Sequence, residues 1–332
     1  MNVAARLDEL ARADSPALFG EIIEPLCDSF EPDDADRYAE LFLPVIARTL
    51  PQAEARRATV GRRFSGPDPS DVFVLSRVTL GADVAVSSVV MDAAKRRFPR
   101  ARIHMVGPRK NYELFAGDAR VEHAPVEYGR AAGLRERLSA GLRVREIVDR
   151  PGAIVIDADS RLTQLGLIPV TGEDRYFFWE SRSYRPESVD PLGRLAAAWM
   201  GEAFGVEEAF PYVAPAAAAV ADWRVCVSLG VGGNMAKRVD DRFEAGAMQA
   251  LVAAGGTVGG SWSGRRGVRT SVAGDCGFGG GGKRCRGVAW GVCTVCVRNC
   301  AGADVRGLRF GGAACGGGGR GAVGDGVSRV SE

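Results

Sequence analysis

At 332 residues, with a net charge of +2 and interspersed acids and bases, the chain has room for two domains and shows no whole-chain electrostatic case for nucleic acid. Its longest weakly polar run, "VAPAAAAVA", is far short of a bilayer span, and "MNVAARLDELARAD" lacks the apolar core of a signal peptide, so a cytoplasmic location is expected. Composition breaks sharply near residue 258: residues 259–332 carry 23 of the 44 glycines and 6 of the 8 cysteines, but one leucine and no isoleucine.

Residues 3–64 read as helical. "ARLDELARA" and "ADRYAELFLPVIARTL" space apolar residues at i, i+3, i+4 and i+7, with "DSP" and "EPDDAD" as caps and breaks. "SGPDPSD" is a linker, after which strands and helices alternate. "DVFVLSRV" (71–78) is a buried-strand run, "TLGAD" a tight turn turned by Gly81, and residues 84–98 a helix with a basic last turn. "ARIHMVGP" (101–108), "ARVEHAPVEY" and "AIVIDAD" (153–159) read as further strands. A short helix near 110–116 and a long one over 130–150 lie between them. This order predicts a parallel sheet covered by helices.

An aromatic, strand-like stretch follows at 174–184, then a helix over 189–204 with Pro191 in its first turn. Beyond the Pro/Ala segment "FPYVAPAAAAVAD", a second strand–loop–helix unit begins with "WRVCVSLG" (223–230) and reaches "TV" at 257–258. The expected domains are a helical extension (1–66), a Rossmann-like domain (67–214), the start of a second such domain (215–258) and a Gly/Cys-rich tail (259–332). So little apolar area in the tail predicts little regular structure there, since backbone ordering costs about 1–2 kcal/mol per residue.

Ligands of open α/β sheets bind at the carboxyl ends of the strands. In "SRVTLGADV", Asp83 suits either a general base or a helix N-cap. In "DADSRLTQ", Asp157, Asp159 and Arg161 suit hydroxyl or phosphate binding, or structural ion pairs. In "SLGVGGNMAKR", the glycines with Lys237 and Arg238 suit a pyrophosphate, or form a solvated turn. His104 and His123, in or beside strands, are expected to be structural.

These loops, in this order, resemble glycosyltransferase family 9, the ADP-heptose:lipopolysaccharide heptosyltransferase family. The resemblance runs over about residues 71–258, through "VFVLSRVTLGADVAVSSVVMDAAKRRFPRARIHMVGPRKNYELFAGDARV", "IVIDADSRLTQLGLIPV" and "VSLGVGGNMAKRVDDRFEAGAMQALVAAGGTV". It implies a GT-B-type fold of two Rossmann-like domains and an inverting, metal-independent transfer from a nucleotide-diphosphate sugar, an ADP-sugar. No other cofactor is implied. The acceptor implied is a lipid-linked or lipopolysaccharide-type glycan, with peripheral contact at the inner membrane. By resemblance Asp83 is the base, and Arg77, Asp157, Asp159 and Arg161 meet the acceptor. Ser228, Gly230, Gly232, Gly233, Asn234, Lys237 and Arg238 hold the donor. The family places glycine directly before the aspartate; here Ala82 intervenes.

The family's later "Y-x-G-Y-D-S-A-G-Q-H" stretch is not visible in 259–332. Dropping the first base of each codon turns "LRFGGAACGGG" into "YDSAGQHVAA", with Trp262, Phe310 and Cys315 constraining the hidden residues to types the family uses. A frameshift near Val258–Gly259 is therefore expected, and the chain is either a transferase or a non-catalytic remnant lacking a complete donor site. A nucleotide-binding α/β protein of another kind is a third reading, weakened by the lack of a GxGxxG with a downstream acid. A metal site at Cys276, Cys285, Cys293, Cys296 and Cys300 competes for the tail, but it has one clean C-x₂-C and no histidine.

Overall fold

The computed structural model describes residues 3–129 and 131–216, the strand segments 225–228, 258–263 and 268–273, and isolated positions 239, 240, 242, 243, 246, 247 and 250. The chain divides between Ala214 and Pro215 into two compact units.

The first unit is built on a five-stranded sheet: β1 (Asp71–Leu75), β2 (Arg102–Gly107), β3 (Val121–Pro125), β4 (Ala153–Asp157) and β5 (Tyr176–Phe178). The order is β3-β2-β1-β4-β5, and every neighbouring pair is parallel. All five residues of "DVFVL" in β1 are buried, as a central parallel strand covered on both faces requires. Alternation sends Val72 and Val74 to one face and Phe73 and Leu75 to the other. Ile154 and Ile156 of β4 join the first pair, and Val155 joins the second.

Helix α5 (Ser88–Arg97) and α8 (Leu192–Phe204) cover the first face, through Val89, Val90, Met91 and Trp199. Helix α7 (Leu134–Val148) covers the second through Ala140, Val144 and Val148, and a short α6 (Arg109–Tyr112) follows β2.

The amino-terminal helices are α1 (Val3–Arg12), α2 (Glu24–Asp28), entered through a π-helical turn at Phe19–Ile23, and α3 (Pro32–Thr49). Their apolar stripe, including Leu7, Phe19, Tyr38, Phe42 and Ile46, packs on Leu134, Leu138, Leu167 and Ile168. The "extension" is thus continuous with the core of the sheet unit. Helix ends earlier than the periodicity over 3–64 predicts, at Ala53, because Pro51 closes α3 and Glu54 turns left-handed at φ 52°. The chain then runs as a strap. Arg56 N–H and Ala58 N–H donate to the carbonyls of Leu167 and Gly166, and Phe64 N–H donates to Ala203.

Three further expectations are corrected. The "TLGAD" turn is helical from Leu80, as α4 (Leu80–Ala82), and Gly81 keeps an ordinary φ; Val78 takes the left-handed turn instead, at φ 72°. Of the aromatic stretch 174–184 only Tyr176–Phe178 is strand. Pro191 is the N-cap of α8 rather than part of its first turn.

In the second unit, β6 (Val225–Ser228) pairs in parallel with β7 (Val258–Ser263), and β8 (Val268–Ala273) returns antiparallel to β7. Regular backbone therefore extends past residue 258 for these two strands. Among the described residues, no helix is long and apolar enough to cross a membrane.

Candidate functional site

The sheet order reverses between β1 and β4, and in open α/β sheets that switch point opens a crevice outside the carboxyl ends of the strands. A cleft of about 270 Å³ lies there. Arg77 and Thr79 enter it after β1, Asp159 and Arg161 after β4, Arg182 after β5, and Asp28 and Phe30 from the loop joining α2 to α3.

The two loops at the switch point are cross-tied. Arg77 donates through one guanidinium nitrogen to the Ala158 carbonyl (2.6 Å) and Ser181 Oγ (3.2 Å), and Ser160 Oγ donates to the Ser76 carbonyl (2.5 Å). Burial pushes the Arg77 pKa down, although Asp159 and Asp83 nearby oppose that shift.

Asp159 adopts φ 63°, an uncommon conformation for a non-glycine residue and one enriched at ligand-binding sites. Its Oδ2 accepts from Ser181 Oγ (2.7 Å) and Arg182 Nε (3.1 Å). Its Oδ1 is buried with no partner, and so is one terminal nitrogen of Arg182. The two side chains are 0% and 3% exposed. Asp159 and Arg182 line one cleft, and the shielded acceptor of the first and donor of the second would be satisfied by a group that both donates and accepts. A hydroxyl does both.

Asp83 and Asp157 stand behind the cleft rather than in its lining. Asp83 is fully buried: Oδ1 accepts from Arg77 N–H (2.7 Å) and Ser87 Oγ, and Oδ2 from Ser76 Oγ (2.6 Å) and Asn111 Nδ2. Burial raises its pKa against the pull of those four donors. Asp83 here fixes the path of the β1 loop and is neither a solvent-facing base nor a side-chain N-cap. It opens the π-helical turn Asp83–Ser87, in which backbone hydrogen bonds span one residue more than in the α-helix.

Asp157 accepts from Ser160 N–H (2.7 Å), Thr163 Oγ1 (2.6 Å) and Tyr176 OH (2.5 Å). Burial raises its pKa to about 6 despite those bonds. It anchors the loop after β4.

The structure thus brings Arg77, Asp159 and Arg161 together as expected from their loops. It adds Arg182, Asp28 and Phe30. Arg182 follows a parallel strand, so the carboxyl-end rule applied to β5 would have flagged it. Ser228 ends β6; Gly230, Gly232, Gly233, Asn234, Lys237 and Arg238 lie outside the described residues, as do the tail cysteines. Among the described residues, no cluster of three or more metal-ligating side chains occurs. Cys27, at the cleft, is free and buried, and burial pushes its thiol up to about 12. His104 bonds Asp71 (2.7 Å) at the opposite end of β1, and His123 bonds the Gly107 carbonyl (2.9 Å).

No family model matches the chain, and no curated protein matches it. Among solved structures it is similar to E. coli heptosyltransferase WaaC with ADP-2-deoxy-2-fluoro heptose, at 13% identity and a TM-score of 0.43, over 59% of this chain and 70% of that one. It is also similar to TibC, an iron-containing dodecameric glycosyltransferase from enterotoxigenic E. coli H10407, at 11% identity and a TM-score of 0.31. TibC in complex with ADP-D-beta-D-heptose gives 11% and 0.30; in both cases 61% of this chain and 46% of the TibC chain are covered. Scores of this size assign no residue a role.

Proposed function

We propose that the chain is a glycosyltransferase of the heptosyltransferase type and that the first unit binds the sugar acceptor. The observation that carries this is that Asp159 and Arg182 both line one cleft at the switch point of a parallel sheet and that each holds a shielded polar atom without a partner. An acceptor hydroxyl donates to the first and accepts from the second. Arg77 and Arg161 are the cations beside it.

In the transfer, the oxygen of a neighbouring hydroxyl of the same acceptor forms a bond to the anomeric carbon of an ADP-sugar as the bond to the diphosphate breaks. Direct displacement inverts that carbon, and the electron pair leaves on the diphosphate. Lys237, with the backbone N–H groups of the glycine loop after Ser228, neutralises the growing charge without a metal. Gly230, Gly232, Gly233, Asn234 and Arg238 complete this donor loop. Asp83 takes the hydroxyl proton only when the β1 loop releases one of its four donors. The acceptor is a lipid-linked or lipopolysaccharide-type glycan met at the cytoplasmic side of the inner membrane.

A second reading, a sugar-binding remnant without turnover, is favoured by the fully bonded state of Asp83. ADP release from ADP-sugars, measured with and without glycan acceptors on the full chain, separates the two. Acceptor-dependent release is expected of the transferase, as is loss of release in Asp83→Asn with acceptor binding intact; release at the parent rate in that variant would remove Asp83 as the base. Sugar binding with no release at any donor supports the remnant. Sequencing the 3′ end of the gene tests the frameshift: if no alternative frame continues the family pattern, the tail is the chain's own.

A further inference from the structure

Clamping one hydroxyl leaves the carbon face of a sugar ring without a partner. The α2–α3 loop supplies a candidate. Phe30 lines the cleft, is 39% exposed, and holds φ 57°. A large apolar side chain that is both exposed and left-handed has two reasons to be elsewhere. Phe30 also stands outside the helical core cluster that buries Phe19, Tyr38 and Phe42.

The loop that carries Phe30 is tied down. Asp28 pairs with Arg161 at 2.8 Å across the cleft, Ser29 Oγ donates to the Leu26 carbonyl (3.3 Å), and Glu31 N–H donates to Ser29 Oγ (3.3 Å). An aromatic residue on a tied loop therefore sits at a cleft whose other walls carry Asp28, Arg161, Asp159 and Arg182. Such a site matches the two sides of a pyranose. Its hydroxyl edge takes carboxylate and guanidinium partners, and its C–H face, carrying partial positive charge, suits the negative face of an aromatic ring.

We propose that Phe30 is the stacking platform of the cleft and selects a neutral pyranose that presents an all-C–H face. This rests on the sugar-binding reading of the cleft and adds a specificity residue from outside the sheet itself.

Saturation-transfer NMR and titration of the full chain with methyl gluco-, galacto-, manno- and heptopyranosides test it. Saturation is expected on one C–H face of the bound ring. Phe30→Ala and Phe30→Leu should weaken binding by about tenfold, while Phe30→Trp stays within about threefold of the parent. Melting temperatures should be unchanged in all three, because the side chain is not part of a core. If Phe30→Leu binds as tightly as the parent while Asp159→Asn abolishes binding, the platform is wrong and the sugar cleft stands. If no pyranoside binds the parent chain, both fall.

Discussion

Arg182 holds Asp159 at 3.1 Å with both side chains shielded from water, and the pair is worth more intact than half-removed. Arg182→Ala leaves a buried carboxylate uncompensated and is expected to cost about 3–5 kcal/mol in chemical denaturation. Replacing both residues with apolar ones of similar volume should restore most of that stability while losing sugar binding, which separates holding the fold from holding the ligand. A second residue-scale expectation concerns pH. The Asp157 pKa is raised from 3.8 to about 6, so the stability tied to its neutral form is complete below 3.8 and is lost as pH rises through 6. Thermal melts of Asp157→Asn should lack that component, and the difference from the parent should develop between those two values. Asp71 works in the opposite sense. Burial is outweighed by His104, Arg102, Ser70 and Arg150, its pKa is held at about 2, and its contribution fades as pH falls from 3.8 towards 2.

At the scale of elements, Ala82 directly precedes the π-helical turn, and deleting it tests what that turn is for. Deleting Ala82 should convert Asp83–Ser87 to ordinary α-helix and leave Val86, Val89 and Val90 in the core, with a stability change of about 1 kcal/mol or less. Loss of folding would show that the π turn is needed by the Asp83 network. Gly166 offers a sharper constraint. At φ 82°, with a Cβ that would meet the Phe178 ring at 2.4 Å, Gly166→Ala is expected to cost about 3 kcal/mol, read by the same denaturation assay. Strands β1, β2 and β4 were legible because strands buried on both faces are continuous apolar runs. β5 was over-read because its aromatic run continues past Phe178 into residues that turn back towards the cleft. Arg77, Asp159 and Arg161 were legible from their place after strands. The hydrogen-bond networks of Asp83 and Asp157 were not legible, because sequence position does not say whether a carboxylate's oxygens face solvent or neighbouring donors. Phe30 and Asp28 were missed because nothing in a helical segment announces that its loop meets the carboxyl end of a sheet far along the chain.

For the whole molecule, the division after Ala214 predicts that a chain ending there unfolds in one cooperative transition and keeps the pyranoside affinity of the full protein. Circular dichroism and the same titration check this; a broad, non-cooperative melt would mean that later residues complete the core. The helical start matters to that core in a further way, through the order of synthesis. Leu7, Phe19, Phe42 and Ile46 are translated well before their partners Leu134, Leu138, Leu167 and Ile168. At roughly 5–20 residues per second, the roughly 120 residues between Ile46 and Ile168 take about 6–24 s to make. During that time three amphipathic helices leave the ribosome with their apolar stripe unmatched. The nascent chain is therefore expected to need chaperones early and to do without them late, and a ribosome stalled between residues 60 and 130 should carry the most aggregation-prone form of this protein.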